Sequence, residues 1–488
     1  MSKQSRARAA AETAKSAMPF PASNAFPANR WGTLLAGGFI VLAALAAYHN
    51  SFSGPFIYDD MGSITGNPTI WHLWPLSKAL SPPAGQTVGG RPLLNLSLAL
   101  NYALSGESVW SYHVLNLLIH ILAGLALFGI VRRTLLEHPP SPHSAGSGLR
   151  RTGPTSSFGP FGKRRASEDR SNLLLRPIRQ VQGYGGQVQP PTSKAIYPEL
   201  SECGRGALTP QIVIPSAARN LPSSPATVLA FFVALLWTVH PLQTECVTYV
   251  IQRAESLMGL FYLLTLYCFV RSTEYRRQET GVRSQDIGDL RSEGGSVTSS
   301  ALQSFSFSAF RWRLASALCC LLGAACKEVM VSAPLMVLLY DRTFVAGSFR
   351  AAWRQRRKYY FTLAGTWLLL GYLVIATGGR GTSAGFGLKV PWWSYALTQF
   401  RAIVRYLRLS FWPHPLVFYY GTTLATRPAE IIPYALIVLL LAIGTVFALW
   451  RRPAIGFLGC WFFAILAPSS SIVPVVTETM SEHRMYLA

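Results

Sequence analysis

The chain is short of charge, and shortest of acid. Only 13% of its 488 residues are Asp, Glu, Lys or Arg, and only 21 are acidic, where soluble domains carry about 25% charged residues. That scarcity argues against an ordinary soluble enzyme of this length. Cysteine is scarce as well: there are seven, at 203, 246, 268, 319, 320, 326 and 460. None sits in a C-x-x-C spacing and most lie inside apolar runs, where a thiol behaves as a small hydrophobe, so neither a disulfide framework nor a zinc site is expected. No repeat of roughly 34 residues is visible. A cleavable leader is also missing: the first apolar run begins near residue 32 with no small-residue cleavage site behind it, and reads as a signal anchor.

Half of the chain is hydrophobic, gathered into runs at 32–49, 112–131, 226–240, 254–270, 314–325, 329–345, 359–377, 431–450 and 454–473 that approach the ~20 residues needed to cross a bilayer. The 44 Lys and Arg give a net charge of +23, but they lie in blocks between those runs. This is the pattern of the positive-inside rule rather than of a nucleic-acid-binding face, and no nucleic acid is expected as a partner. Threading the runs from a cytoplasmic N-terminus (Lys3, Arg6, Arg8, Lys15, Arg30) places 33 of the 44 basic residues inside. Within 394–412, Arg401, Arg405 and Arg408 fall on one helical face, which suggests an interfacial helix on the outer side.

The expected organisation is an all-α polytopic membrane protein. A cytoplasmic tail (1–30) precedes the first spans (31–137), which carry an exoplasmic loop at about 50–91. Residues 138–225, rich in Pro, Ser, Gly and Arg without periodicity, read as a disordered cytoplasmic insertion. Spans around an HPLQTE loop follow (226–273), then a second disordered cytoplasmic loop (274–312), then the remaining spans with an exoplasmic loop (313–488).

Asp59 and Asp60 sit about ten residues beyond the first run, in FIYDDMGSITGNP, where an Asx-turn is the plain structural reading. The threading brings them to the same outer face as Gly90–Leu93, His240 and Glu245, Lys327 and Glu328, and Glu482, His483 and Arg484. Charges near membrane depth are costly and mark sites, so five clusters on one side argue for a chemical cavity there.

The runs FIYDDMGSITGNPTI, GRPLLNLSLALNYALSG, SYHVLNLLIHILAGLALF, HPLQTECVTYVIQRAESLMGLFYLLTLYCF, CKEVMVSAPLMVLLYDR and SEHRMYLA resemble the membrane half of the TMTC family, which joins a GT-C-type transmembrane glycosyltransferase region to tetratricopeptide repeats. The resemblance implies a GT-C-type helical bundle with exoplasmic loops. It also implies transfer of mannose, or another hexose, from a polyprenyl-phosphate carrier to protein Ser or Thr hydroxyls on the exoplasmic side. Donor lipid, acceptor protein and bilayer are then the partners, and no metal or organic cofactor is expected. Family members continue beyond EHRMYLA, so a chain ending at Ala488 is expected to be truncated or a fragment.

Such a reaction needs a base for the hydroxyl, and Asp60 or Asp59 supplies it; the sequence does not choose between them. It also needs a cation for the departing phosphate, for which Arg91 and Arg484 come first, with Arg405 and Lys327 behind them. His240, Glu245, Glu328, Glu482 and His483 complete the substrate-binding set. Each has a structural alternative. Arg91 anchors a span by snorkelling, Lys327 and Glu328 cap a helix boundary, and His240 marks a turn because Pro241 follows. Arg253 and Glu255 neutralise each other, while Trp392, Trp393 and Tyr395 line an acceptor entrance. Two rival functions are a lipid-linked sugar transporter, which would show inverted repeats, and a non-catalytic scaffold. Loops that look like inserted genomic repeats point to a bacterial inner membrane in preference to the endoplasmic reticulum.

Overall fold

A computed structural model describes residues 28–137, 224–289, 299–378, 390–471, 473–475 and 478–488. The described residues form helices and short turns. In chain order the α-helices of five residues or more are α1 (Ala28–Tyr48), α2 (Pro92–Ser105), α3 (Trp110–Glu137), α4 (Pro225–Val239), α5 (Thr244–Thr248), α6 (Arg253–Asp289), α7 (Ser299–Ala324), α8 (Ala333–Tyr340), α9 (Phe349–Ala376), α10 (Trp392–Phe411), α11 (Pro428–Arg451) and α12 (Pro453–Leu466). Proline opens α2, α4, α11 and α12, where its missing N–H costs nothing. Ser224 caps α4 by accepting from the Thr227 N–H at 3.3 Å, and Ser348 caps α9 through the Ala351 N–H at 3.2 Å.

Among the described residues, five helices are long and apolar enough to cross a membrane, and a sixth span arises if the bent pair Pro225–Val239 and Pro241–Thr248 counts as one. The chain is therefore built as an all-α, multi-span bundle. α6 packs against both α3 and α7, α3 also against α4, and α1 against α3 and α4. The centre and edge are clear from burial: 78% of the apolar window around α6 is inside the protein and only 6% of that in α11. Leu34, Leu35, Phe39 and Leu42 on α1 and Leu439 and Leu440 on α11 stand exposed, as side chains facing lipid must. Close approach uses glycine: a Cβ on Gly124 would lie 2.5 Å from Thr238 Oγ1, and one on Gly259 would lie 2.6 Å from the Tyr486 ring. Small residues at such crossings let membrane helices touch.

Several expectations change. Run 329–345 is no span: it folds as a turn at Glu328–Ser332, the eight-residue α8 and a wide turn at Asp341–Val345. Run 454–473 yields only the 14-residue α12. The stretch 274–312, expected to be disordered, is helical at 274–289 and 299–312 because α6 and α7 run on into it. At the start of the α6 continuation charge pairing holds the helix to its neighbours: Arg271 Nη1 lies 2.9 Å from Glu274, which also takes Arg133 at 2.5 Å, and Arg277 reaches Glu137 at 2.7 Å. Residues 1–27 and 138–223, which hold most of the expected tail and insertion, lie outside the described residues. α10 is the amphipathic helix expected, with Ala402, Ile403, Tyr406 and Leu409 buried and Arg408 exposed.

Candidate functional site

The loop after α1 separates its two aspartates. Asp60 is 1% exposed. Its Oδ2 accepts from the Ile57 N–H at 3.2 Å and its Oδ1 from the Ile251 N–H at 2.8 Å, which ties the loop to the turn before α6. Burial raises its pKa from 3.8 to about 6, against the lowering pull of those two N–H groups. Asp59 instead stands exposed. Its N–H donates to the Tyr249 hydroxyl at 2.9 Å, while its carboxylate makes no hydrogen bond or ion pair among the described residues. The residue before it, Tyr58, has φ +43°, a left-handed conformation that a bulky side chain adopts only under constraint.

An aromatic group covers this loop. The Tyr58 ring lies 5.3 Å from Phe418 and 6.3 Å from Tyr419, and Phe418 lies 5.2 Å from Tyr249. The segment carrying Phe418 is held in turn by Glu482, whose Oε1 accepts from the Val417 N–H at 2.8 Å and the Tyr420 hydroxyl at 2.7 Å. Tyr420 also accepts from Arg405 Nε at 3.1 Å, with the guanidinium 5.2 Å from its ring centre. Burial pushes the Glu482 carboxyl up, as it does that of nearby Glu478.

Glu245, one turn before Tyr249, takes the His483 backbone N–H at 3.0 Å and lies 2.6 Å from His483 Nδ1. A carboxylate on Nδ1 fixes the tautomer and turns Nε2 away from it. Glu245 thus stands between the Asp59 loop and the Glu482 segment, acting electrostatically on Tyr249, Glu478 and Glu482.

A second group lies alongside. Lys327 Nζ pairs with Glu255 at 2.5 Å, both deeply buried. Arg91 approaches Glu328 at 4.0 Å and donates to the Thr87 carbonyl at 2.8 Å, and the Leu93 N–H reaches the Ala325 carbonyl at 3.3 Å. The two groups meet at Cys246, which donates to the His483 carbonyl at 3.6 Å and feels the charges of Glu255, Glu245 and Lys327.

Four sequence assignments are corrected here. Arg484, expected to meet the phosphate, is buried, and its terminal nitrogens go to the Tyr395 hydroxyl and the carbonyls of Ser469, Thr479 and Glu478. Arg253 and Glu255 do not neutralise each other. Arg253, 0% exposed, donates to Asn116 Oδ1 at 2.6 Å, Asn101 Oδ1 at 2.7 Å, Ser97 and the Tyr112 carbonyl at 2.9 Å, and Glu255 takes Lys327 instead, so Lys327 spends its side chain on an ion pair rather than a cap. His240 is the turn residue: Nδ1 accepts from the Leu242 N–H at 3.3 Å and Nε2 meets the Ser410 carbonyl at 3.2 Å, where α4 bends by 52°. Tyr395 is in the core, while Trp392 and Trp393 are exposed. Sequence reasoning missed Tyr58, Tyr249, Phe418 and Tyr419; only the DD pair beside Tyr58 signalled them.

The site is thus a solvent-reaching carboxylate on a constrained loop, roofed by aromatic rings and backed by paired charges. Comparison with known proteins finds "Protein O-mannosyl-transferase TMTC2" of Mus musculus, 36% identical over 84 residues, or 16% of this chain and 10% of the relative. "Protein O-mannosyl-transferase Tmtc1" of Drosophila melanogaster is 33% identical over 101 residues, 19% of this chain and 12% of the relative. "Protein O-mannosyl-transferase Tmtc3" of the same fly is 24% identical over 241 residues, covering 48% of this chain and 19% of the relative. The chain is similar to the TMTC-type protein O-mannosyl-transferases. Each match spans less than a fifth of the TMTC relative's own length. No family model and no solved structure matches. The TMTC relatives reported are animal proteins, which lends the bacterial placement nothing.

Proposed function

We propose that the chain is the membrane part of a glycosyltransferase that moves a hexose, mannose on the strength of its relatives' names, from a polyprenyl-phosphate donor to Ser or Thr hydroxyls of an acceptor protein on the exoplasmic face. The observation that carries the reading is the division of labour between the two aspartates. Asp60 is spent on two backbone N–H groups, whereas Asp59 offers an unpaired carboxylate held in place by Tyr58 and Tyr249. In this reading Asp59 accepts the proton as the hydroxyl oxygen bonds to the anomeric carbon and the carbon–oxygen bond to phosphate breaks. The departing phosphate keeps the bonding electrons and is met by Arg405, which contacts Tyr420 in the segment that carries Phe418 and Tyr419, with Arg91 behind it. The rings of Phe418 and Tyr419 give the sugar an apolar wall.

The decisive test is transfer from a polyprenyl-phosphate mannose to a Ser/Thr peptide by the membrane-reconstituted protein. Asp59→Asn keeps size but removes proton acceptance and is expected to slow turnover by about 10²–10⁴-fold while donor binding survives. Full activity in Asp59→Asn would overturn the assignment of the base. Donor-lipid binding with flipping and no transfer would point to a transporter instead.

A further inference from the structure

α3 connects two ends of the bundle. At one end the Tyr112 ring packs against Phe56 of the aspartate loop at 5.2 Å; at the other stand Arg132 and Arg133. The twenty residues between them rise about 30 Å at 1.5 Å per residue, the thickness of a bilayer's hydrocarbon core. Arg132 and Arg133 therefore lie at the headgroup level opposite the aspartate loop.

Between α1, α3 and α6 a cavity of about 390 Å³ opens beside these arginines, with Leu122, Leu125, Phe128, Leu260 and Leu264 along its apolar walls. Its mouth is asymmetric in charge. Arg133 stacks on Tyr267 at 5.5 Å and shares Glu274 with Arg271. Arg132 uses only Nε, which donates to Thr227 Oγ1 at 3.0 Å; its two terminal nitrogens have no acceptor among the described residues. Beside this mouth Arg133 and Arg271 share the one carboxylate of Glu274, and Arg277 pairs with Glu137.

An apolar slot that runs into the bilayer from a mouth with excess cationic donors has the two-part chemistry of one ligand class. We infer that this groove binds an anionic phospholipid, one acyl chain lying along Leu122, Leu125 and Leu264 and the headgroup phosphate on the free nitrogens of Arg132. A zwitterionic lipid offers the same chains, but its own cation weakens the pull of a mouth that is already basic. The inference is independent of the transferase reading, since it concerns the other end of the bundle and its test reads no activity.

The test is native mass spectrometry of the full chain in detergent, titrated with phosphatidylglycerol or phosphatidylcholine. One phosphatidylglycerol is expected to be retained about tenfold more strongly than phosphatidylcholine, the worth of one charge-assisted contact. Arg132→Gln is expected to erase that preference while leaving chain binding. Leu122→Trp, a change at an exposed wall position, fills the slot and is expected to lower retention of both lipids. Equal retention of the two lipids by the unaltered protein would overturn the proposal, and so would an undiminished preference in Arg132→Gln. Displacement of phosphatidylglycerol by millimolar inorganic phosphate would also overturn it, by showing that the mouth holds a phosphate and the slot no chain. Should Arg132→Gln fail to fold, Leu122→Trp alone decides: unchanged retention of both lipids refutes the groove.

Discussion

The first turn of α6 and the loop that lies against it, residues 57–60, use their charges in opposite ways. Arg253 opens α6 with no exposure, its donors distributed over Asn116, Asn101, Ser97 and Tyr112 of α2 and α3. Three helices are thereby locked by one guanidinium whose fixed fork matches several acceptors at once. A few ångströms along the same contact, Asp60 is also consumed by structure, yet Asp59 is left exposed on a backbone held at Tyr58 in an unfavourable region. The contrast is that the buried charges of this contact are spent on assembly, whereas Asp59 keeps an exposed carboxylate on a backbone that its buried neighbours position.

The comparison breaks first at Arg253. Arg253→Ala would strip partners from five buried acceptor atoms on four residues at a cost of about 1–3 kcal/mol each, so no folded, monodisperse protein is expected by size-exclusion chromatography. Recovery of a normally stable Arg253→Ala protein would show that the hub is dispensable. Asp59→Asn should lose 10²–10⁴-fold in transfer rate with an unchanged melting temperature, and a lower melting temperature would move Asp59 to the structural side of the divide. Arg405→Ala is expected to weaken donor-lipid binding by about 10–100-fold, the loss of a charge-assisted contact of about 1.5–3 kcal/mol. Arg484→Ala, by contrast, should destabilise the fold because its donors serve internal carbonyls.

The smallest effect sharpens the distinction between the paired aspartates. The folded-state pKa of Asp60, about 6, lies above the ~3.9 of an unfolded aspartate. The folded protein therefore holds the extra proton between those values, and stability falls as pH rises from about 4 through 6. Asp60→Asn removes the titration, so the pH slope of the melting temperature over that window should flatten. It should also lower the melting temperature at all pH values, because an amide nitrogen would face one of the two N–H donors. An unchanged slope would mean that another group titrates there.

Part of this was readable from residue order alone. The apolar runs and basic blocks announce an all-α membrane bundle because a helix satisfies its own backbone in lipid and needs continuous apolar runs of about 20 residues, where a barrel strand would be shorter and alternate. The DD pair, the HPLQTE loop and the EHRMYLA block are recognisable as charged islands. Partnerships were not readable: Glu255 lies two residues from Arg253 but 72 from Lys327, and the longer pairing is the one made. Nor was the division between Asp59 and Asp60, which depends on the Ile251 N–H, 191 residues away. The aromatic roof stayed hidden for a related reason. In a chain with 26 Phe and 20 Tyr, four rings converging from three segments leave no local pattern. The helical continuations of α6 and α7 were missed because neither carries the sustained apolar period that sequence reading depends on.

Tyr486 adds a matter of timing. Its hydroxyl meets His120 Nδ1 at 2.9 Å, its carbonyl accepts from the Trp237 indole at 3.1 Å, and its ring fills the notch left by Gly259. Trp237 leaves the ribosome 249 residues before it, a delay of roughly 12–50 s at typical synthesis rates. α3 and α4 stand at the start of that interval and α6 is made within it, so their junction lacks its wedge until Tyr486 is synthesised. Closure of the junction between α3, α4 and α6 therefore follows the synthesis of all three helices and is set by the arrival of Tyr486.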